Sequence, residues 1–383
     1  MHTATRLAAP VIKKVRAANP HARICAYGLY APLNEEWLRS IGVTDVIGGE
    51  FEEELAAIAR EACEPARSQS AALSPKPLAL SPTSVPKLQF LTPDRRGLPA
   101  LEKYAALRMG DGSRKVVGYT EASRGCRHLC RHCPVVPVYN GQFRVVPSEV
   151  VLADVSAQIA AGAGHITFGD PDFFNGPTHA VRVVTAFHEA HPTITYDATI
   201  KVEHLLKHRA LLPVLRDTGC LFVTSAVESL DDHVLALLEK GHTRQDFFDA
   251  VALCRDARLT LAPTFVPFHP WTTIENYCDL LDTLERLDLV EHVAPIQLAI
   301  RLLVPEGSRL LELDDMRQRL GAFDANTLTY KWTHSDPRVD ELQRDVAVTV
   351  GRRLVSDRRT VFEEITTLAH DRAGLGRVIA PRR

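Results

Sequence analysis

The sequence lacks the features that would assign it to a membrane or to nucleic acid. It has no apolar run of about 18 residues, and its N-terminus lacks the charged and then apolar layout of a signal peptide. Lys and Arg (45) nearly balance Asp and Glu (47), leaving a formal net charge of −2 and no basic surplus. No internal repeat is present. We therefore expect a soluble cytoplasmic protein with reduced thiols and with no membrane or nucleic-acid partner.

Most cysteines are isolated, and this sets one group of three apart. Cys126, Cys130 and Cys133 follow one another at C-x3-C-x2-C spacing, with no fourth cysteine nearby. Three thiolates can hold three irons of a 4Fe–4S cluster and leave the fourth iron open to a small molecule. A structural zinc is the alternative because His128 and His132 interleave with the thiols, although zinc sites more often use C-x2-C pairs separated by a longer loop. The remaining five of the eight cysteines are expected to be buried apolar residues: Cys25, Cys63, Cys220, Cys254 and Cys278.

Residues 1–62 have a mixed helix and strand pattern. Strands are predicted at 23–27 and 45–47, and helices at 6–18, 35–41 and about 50–62. Glycines follow both strands, where they permit a tight turn or a close approach to a ligand, although an ordinary β–α turn needs them as well. Residues 63–97 are rich in proline and are predicted to be an extended linker.

Residues 98–107 resemble a short helix that leads into a barrel, and from residue 116 the pattern predicts regular alternation of strand and helix. Six strand–helix repeats favour a parallel sheet, and six are too few to close an eight-stranded barrel. An open (β/α)6 barrel over 98–303 follows, with its chemistry at the C-terminal ends of the strands. Residues 304–383 are predicted to be a helical C-terminal extension. The predicted strands are 116–120, 165–168, 194–199, 220–226, 259–266 and 293–300, and the predicted helix N-caps are Ser148, Asp231, Thr243 and Thr272.

The cysteine spacing resembles the cluster motif of the radical S-adenosylmethionine (radical SAM) superfamily. In that family the open iron chelates the amino and carboxylate groups of SAM, and an electron from the reduced cluster cleaves the sulfonium to a 5′-deoxyadenosyl radical. The resemblance implies that Cys126, Cys130 and Cys133 are the cluster ligands. One departure is His132, because the residue before the last cysteine is usually aromatic in the family.

Other segments resemble the SAM-binding parts of the same family. Gly169-Asp170-Pro171-Asp172 stands in the place of a Gly-Gly-Glu segment that binds the SAM amino group, although an ordinary turn has the same composition. Lys201 could pair the SAM carboxylate, or it could simply be solvated. The run from "SAVES" to Thr243 resembles the "GxES…vL..l.KG.T" segment of cobalamin-dependent members, which implies that Glu228 and Ser229 reach SAM.

The N-terminal segment resembles the second half of the cobalamin-binding domain that precedes many radical SAM barrels. The resemblance implies that two turns border the corrin: Gly28, Leu29, Tyr30, and Gly48, Gly49, Glu50. About two of the roughly five strands of such a domain are present, so we expect a late start or a vestigial domain and weak cobalamin binding or none. The barrel is closest to a group named for a Cys or selenocysteine, Cys-Ala-Glu-Pro tail, which this sequence lacks.

These patterns predict an α/β protein: a partial (β/α)6 radical SAM barrel with an N-terminal fragment of a doubly wound cobalamin-binding-like domain and a helical C-terminal extension. The implied activity is reductive cleavage of SAM, with cobalamin-dependent methyl transfer as one outcome and a cobalamin-independent rearrangement or oxidation as another. A non-enzymatic regulatory protein that binds zinc or a cluster is the alternative. The implied partners are a small-molecule or peptide substrate and a reductant such as flavodoxin or ferredoxin.

Overall fold

The computed structural model describes residues 2–63, 88–353 and 356–375. Most of the predicted linker, residues 64–87, lies outside the described residues. The helices are α1 (His2–Ala18), α2 (Glu35–Ser40), α3 (Glu52–Cys63), α4 (Val136–Tyr139), α5 (Ser148–Ala160), α6 (Pro177–Ala190), α7 (Val202–Lys207), α8 (Leu212–Asp217), α9 (Asp232–Leu237), α10 (Arg244–Asp256), α11 (Ile274–Arg286), α12 (Asp314–Arg319), α13 (Pro337–Arg352) and α14 (Arg358–Ala373). The strands are β1 (Cys25–Tyr27), β2 (Asp45–Ile47), β3 (Ala106–Arg108), β4 (Arg114–Thr120), β5 (Ser123–Gly125), β6 (Phe143–Val145), β7 (His165–Phe168), β8 (Thr195–Thr199), β9 (Cys220–Glu228), β10 (Thr260–Phe265), β11 (Leu320–Asp324) and β12 (Thr329–Trp332).

The chain divides into two compact units, and neither is continuous in sequence. The first, called the loop unit, contains the described residues up to Gln89 together with Cys126–Gln142 and Leu303–Trp332. The second, called the barrel unit, contains Phe90–Gly125, Phe143–Leu302 and the described residues from Thr333 onward. None of the helices in the described part of the chain has the length and apolar character needed to cross a bilayer.

The barrel unit is built on one sheet with the strand order β10-β9-β8-β7-β4-β3. The five strands from β4 to β10 in this sheet are parallel, and each of the four steps along it passes through a helical crossover. Apolar residues on one side of these strands, such as Ile166, Tyr196 and Val223, are fully buried in a core shared with the helices. Burial of such side chains is the main stabilising contribution to a parallel sheet. The α/β class and the open, partial barrel are confirmed.

The sixth predicted strand, 293–300, is wrong. Residues Pro295–Ala299 form a 3-10 helix instead, and only one parallel bridge, between Phe268 and Arg301, continues the sheet there. Pro295 has no N–H to donate to a ladder, and its fixed φ favours the first turn of a helix. Two backbone bonds, Phe268 N–H to Ile300 O (3.2 Å) and Leu302 N–H to Phe268 O (2.7 Å), are what remains of the strand.

The predicted helix at 98–107 is also wrong. The segment makes one 3-10 turn at Leu101–Lys103 and then β3, which pairs antiparallel with the first half of β4. Pairing with an open sheet edge satisfies backbone groups that an isolated short helix would leave to solvent.

The helix starts were predicted with partial success. Thr243 caps α10 in a capping box with Asp246, and Asp231 caps α9, as predicted. Pro147 precedes α5 without a side-chain cap, so Ser148 is the first helical residue, and Thr273 caps α11 in place of Thr272. The Thr272 hydroxyl instead donates to the carbonyl of Pro267 (2.8 Å), a bond made inside the preceding loop.

The loop unit begins with the mixed segment that was predicted. β1 and β2 pair in parallel, with Cys25 opposite Asp45 and Tyr27 opposite Ile47, and α1 to α3 surround them. The apolar positions that indicated α1 are exposed: Leu7 by 67%, Val11 by 57% and Val15 by 39%. The buried residues of this small core are Ile12, Ala31, Leu38 and Val43.

Candidate active site

The three clustered cysteines lie in the loop unit, at the start of the segment that joins β5 to β6. The Cys126 N–H donates to the carbonyl of Gln142 (3.1 Å), which joins the two ends of the loop, and the Cys133 N–H donates to the carbonyl of Cys130 (3.1 Å). Cys126 and Cys130 are buried, Cys133 is half-buried, and none of the three is in a disulfide. Val135 and Tyr139 pack with Cys126 in one apolar cluster, and Cys133 packs against it. The loop therefore gathers three reduced thiols in a sheltered place.

This donor set fits a 4Fe–4S cluster better than a structural zinc. Three thiols come from eight consecutive residues, and Cys126 and Cys133 belong to one apolar cluster, which is the environment that limits access of solvent to an iron–sulfur centre. A closed zinc site needs a fourth protein ligand in tetrahedral geometry. The set of three thiols suits a cluster with one open iron.

Both glycine turns of the N-terminal segment belong to the same unit as the cysteine loop. Leu29 packs against the apolar cluster of Cys126, Val135 and Tyr139. Tyr30 is buried, and this burial raises the pKa of its phenol, with a smaller contribution from Cys133. The two turns therefore adjoin the loop that carries the thiols.

Each glycine of the turns has its own local reason. A Cβ on Gly48 would lie 2.1 Å from Cγ of Pro32, so no larger residue fits there, and Gly28 has a φ of 103° that favours glycine. A Cβ on Gly49 would meet Val138 of the cysteine loop at 3.7 Å. Glu50 is buried, and its carboxylate accepts from the backbone N–H of Leu88 (3.3 Å).

The C-terminal segment of the loop unit also contacts the cysteine loop. The Arg309 guanidinium donates to the carbonyl of Leu129, and the Ser308 hydroxyl donates to the carbonyl of Arg131 (3.3 Å). Sequence reasoning assigned both residues only to an extension. No local signal could have identified them, because their partners are about 180 positions away in the chain.

In the barrel unit, the turn after β7 is tightly packed. A Cβ on Gly169 would lie 1.8 Å from the Tyr119 hydroxyl, so the phenol occupies the space that a side chain would need. The Asp170 carboxylate is buried and accepts from the N–H of Ala122 (3.0 Å) and from the hydroxyl of Ser123. Burial raises the pKa of Asp170 to about 7 despite these two bonds. Asp170 therefore anchors the segment that leads toward Cys126 in sequence.

The Asp172 carboxylate is fully buried in the same turn. One oxygen accepts from the N–H of Phe174 (3.3 Å) and from the N–H of Lys201 (3.4 Å), and the other lies 2.6 Å from Nδ1 of His204. These bonds join the turn after β7 to the start of α7. Asp172 is thus brought beside Lys201.

Glu228 ends β9 in the left-handed region, with a φ of 70° that is unusual for a residue other than glycine. Its carboxylate lies 3.4 Å from the ammonium of Lys240, and both side chains are buried. Lys201, also buried, lies 3.5 Å from the carboxylate of Glu203. Both separations are longer than those of a close charge-assisted hydrogen bond.

Gly241 and His242 complete this group, called the rim charge cluster: Lys201, Glu203, Glu228, Lys240, Gly241 and His242. Gly241 has a φ of 73°, and a Cβ there would lie 2.8 Å from the Glu203 carboxylate. His242 is 7% exposed, and neither of its ring nitrogens has a hydrogen-bond partner within the described ranges. Burial, together with the charges of Lys240 and Lys201, lowers the pKa of His242 to about 4. Lys240 and His242 lie within the run from "SAVES" to Thr243, but the sequence alone assigned them no role.

A pocket of about 170 Å³ lies beside Glu228 and Ser229. His269 lines it in a defined tautomer. The Thr272 hydroxyl donates to the carbonyl of Pro267, so it accepts from the N–H of His269 (3.0 Å) and from Nδ1–H of the ring (3.1 Å). Burial lowers the pKa of His269 to about 4, so the imidazole is neutral and Nε2 is a hydrogen-bond acceptor.

A further polar network lies between β7 and β8 and was not predicted. His165 contacts the Thr195 hydroxyl through Nδ1 (2.8 Å) and the Asp197 carboxylate through Nε2 (2.9 Å). Thr167 donates to the same carboxylate (2.6 Å). Alternation of polar residues at positions 165 and 167, and again at 195 and 197, was the signal in the sequence.

Comparison with known proteins identifies the barrel. The family described as the "Radical SAM superfamily" matches residues 120–287. Two curated relatives are tRNA-2-methylthio-N(6)-dimethylallyladenosine synthases. The protein from Methylococcus capsulatus is 27% identical over 202 residues, and the match covers 49% of this chain and 43% of the relative. The one from Chlorobaculum tepidum is 28% identical over 198 residues, with coverage of 46% and 40%. The chain therefore spans less than half the length of these curated relatives.

Two solved structures share the fold. One is the radical SAM methyltransferase TsrM from Kitasatospora setae, solved with tryptophan substrate and the SAM analogue aza-SAM. It superposes with a TM-score of 0.61 at 18% identity, and the match covers 81% of this chain and 61% of the TsrM chain. The cobalamin-dependent radical SAM enzyme OxsB, in its apo form, gives 0.58 at 13% identity and covers 94% and 64%. At these identities the likeness concerns the fold alone. The family match over residues 120–287, together with this shared fold, makes the barrel unit similar to the radical SAM superfamily.

Proposed function

We propose that this protein is a radical SAM enzyme that holds a 4Fe–4S cluster on Cys126, Cys130 and Cys133. The observation that carries the proposal is the sheltered loop of three cysteines outside any disulfide, at the start of the segment matched by the family. When bound, the cluster supplies one electron that breaks the C5′–S bond of SAM and releases methionine and a 5′-deoxyadenosyl radical. The protein supplies the thiolates, excludes water around them and binds SAM.

The proposal is tested by anaerobic reconstitution with iron and sulfide. We expect about four irons per chain, as cubane clusters contain, and formation of 5′-deoxyadenosine when SAM and dithionite are added. Changing Cys126, Cys130 and Cys133 together to Ala should abolish both. The matched control is Cys63→Ser, because Cys63 is exposed in α3 and its loss creates no cavity. Full iron content in the triple variant would contradict the cluster assignment.

We also propose that the rim charge cluster binds the amino-acid part of SAM. An α-amino acid is a zwitterion. Glu228 suits its ammonium, and Lys201 and Lys240 suit its carboxylate. Burial of Lys201, Glu228 and Lys240 supports this role, because a charge in a low-dielectric place attracts an opposite charge more strongly than it would in water. His242 adds a neutral imidazole at the same place.

Two ligands distinguish this role. S-adenosylhomocysteine carries the amino-acid group, whereas methylthioadenosine lacks it. Lys240→Met should weaken binding of S-adenosylhomocysteine about tenfold or more, the loss expected for one charge-assisted bond of roughly 1.5–3 kcal/mol. It should leave methylthioadenosine binding unchanged. Equal loss for both ligands would indicate a general structural role for Lys240 instead.

Methyl transfer through cobalamin is the finer proposal. Support comes from the two glycine turns beside the cysteine loop and from the fold shared with TsrM, a methyltransferase, and OxsB, a cobalamin-dependent enzyme. Cobalamin-independent rearrangement or oxidation is the alternative within the same family. The assay is transfer of a labelled methyl group from SAM to hydroxocobalamin after reduction.

Two other substrate classes are tested in parallel. The curated relatives modify tRNA, as their names state, and a net charge of −2 with no basic surplus favours a small-molecule or peptide substrate for this chain. Retention of tRNA on a filter at low salt would favour the RNA class.

A non-enzymatic regulatory protein is the remaining alternative, and metal analysis of such a protein would give zinc, or a cluster without SAM cleavage. The electron donor we propose is a flavodoxin or ferredoxin.

A further inference from the structure

The C-terminal segment of the loop unit holds two carbonyl groups of the cysteine loop. Arg309 donates to the carbonyl of Leu129 and Ser308 donates to the carbonyl of Arg131. Leu129 immediately precedes Cys130 in the chain, and Arg131 immediately follows it. The first contact fixes the Leu129–Cys130 peptide group, and the second fixes the Arg131–His132 peptide group one residue beyond Cys130.

Both donors are themselves held in place. The Arg309 guanidinium forms two parallel bonds to the Glu312 carboxylate, at 3.0 Å each, which fixes the plane of the fork. Ser308 is 6% exposed and caps the 3-10 helix Arg309–Glu312 by accepting from the N–H of Leu310 (3.3 Å). Leu310 is fully buried, so this short helix is anchored in the unit.

The planarity of the peptide bond gives these contacts a consequence for Cys130. In a trans peptide the C=O of one residue and the N–H of the next point in opposite directions. When Arg309 holds the carbonyl of Leu129 on one side, the N–H of Cys130 is held on the other. That N–H makes no hydrogen bond within the described part of the chain, and Cys130 is 6% exposed. A buried donor of this kind needs a partner.

We propose that Arg309 is a positioning residue for the cluster: it orients the Leu129–Cys130 peptide so that its N–H donates to a cluster sulfur. This inference rests on the proposed function. Hydrogen bonds to the sulfurs stabilise the reduced cluster because reduction adds negative charge. Arg309 therefore both fixes the loop and raises the reduction potential of the cluster.

The test compares reconstituted wild type, Arg309→Ala and Arg309→Lys without SAM. In Arg309→Ala we expect iron to be lost to a chelator several-fold faster and the midpoint potential, measured by an EPR-monitored titration, to become more negative. Arg309→Lys keeps the charge but cannot make the two-point contact with Glu312, so we expect intermediate values. Circular dichroism of each variant verifies that the fold is retained.

The matched control is Arg317→Ala. Arg317 lies in α12 of the same unit and donates to the carbonyl of Leu311 (2.9 Å), and it makes no bond to the cysteine loop within the described residues. It should behave as wild type. If Arg309→Ala released iron at the wild-type rate and kept the wild-type potential, the inference about Arg309 would be overturned and the proposed function would stand. A wild-type chain that takes up no iron would overturn the proposed function and this inference with it.

Discussion

His242 illustrates how one buried side chain sets an acid limit on stability. It lies among Lys201, Lys240 and Asp246, and burial together with the two lysines lowers its pKa to about 4. In the unfolded chain an ordinary histidine has a pKa of about 6.5. Between pH 6.5 and 4 the unfolded state therefore binds the additional proton, and stability falls as pH falls through that window.

We expect His242→Gln to weaken this acid dependence. Glutamine has a similar size and does not titrate, so the free energy of unfolding of the variant should fall less between pH 6.5 and 4. The measurement is urea unfolding of the cluster-free chain at several pH values. His233→Gln is the control, because His233 is exposed in α9. Parallel pH profiles for wild type and His242→Gln would contradict the prediction.

Gly48 gives a second prediction at this scale. A Cβ there would meet the rigid ring of Pro32 at 2.1 Å, so Gly48→Ala must displace the turn. Overpacking of this kind costs about 1–3 kcal/mol, and the melting temperature should fall accordingly. Gly110→Ala has open space around it and should be close to neutral. A melting temperature unchanged in Gly48→Ala would show that the turn yields without cost.

The sequence could predict which residues cluster by spacing, but not the partners of a side chain. The thiol group was recognisable because its three members lie within eight residues. Asp170 was expected near an ammonium, yet its carboxylate is engaged by Ala122 and Ser123. Those partners are 47 and 48 positions away, so only the folded chain could reveal them.

Among the elements, β4 shows how a sheet edge can be completed by a side chain. β3 pairs only with the first half of β4, so no strand of the described residues covers this edge at Tyr119. There the buried Gln158 of α5 bonds both backbone groups of Tyr119: Oε1 accepts from its N–H (2.8 Å) and Nε2 donates to its carbonyl (3.0 Å). Gln158 also donates to Asp154 (3.0 Å), which Arg95 holds through two bonds. An amide side chain thus replaces a neighbouring strand.

We expect Gln158→Leu to destabilise the barrel unit. The substitution removes the partner of the part-buried Tyr119 N–H, at a cost of about 1–3 kcal/mol for such a group, while the Tyr119 carbonyl still accepts from Arg95 (3.2 Å). Urea unfolding should show a lower midpoint with an unchanged slope. Gln245→Leu on the exposed face of α10 serves as the control. Equal midpoints for both variants would mean that water replaces the amide at the edge.

Elements were predictable where the local pattern and the tertiary fold agree. The strands from β4 to β10 in the main sheet were placed to within a few residues because each is a short apolar run bounded by glycine or a polar cap. The region 293–300 has the same apolar character, but Pro295 cannot join a ladder and becomes the start of a 3-10 helix. Residues 98–107 were expected to form a helix, but residues 106–108 pair with β4 as a strand instead.

At the scale of the whole molecule, the N-terminal part of the loop unit bears on cobalamin. Its two glycine turns follow the two strands of one paired sheet, and a two-stranded sheet alone is marginally stable. We expect weak hydroxocobalamin binding in a spectroscopic titration of the full chain, because the corrin contacts must offset ordering of both turns at about 1–2 kcal/mol per residue. Micromolar affinity would contradict this expectation.

The discontinuity of the loop unit has a consequence for biosynthesis. The contact between Arg309 and Leu129 joins residues 180 positions apart, and Ser308 and Arg131 are 177 apart. During synthesis, which runs from the N-terminus, the cysteine loop emerges long before the segment that fixes its carbonyls. Contacts of such long range also form slowly, because closure of a long loop must precede them. A nascent chain therefore exposes three reduced thiols without their final support, and insertion of iron is expected to follow release from the ribosome.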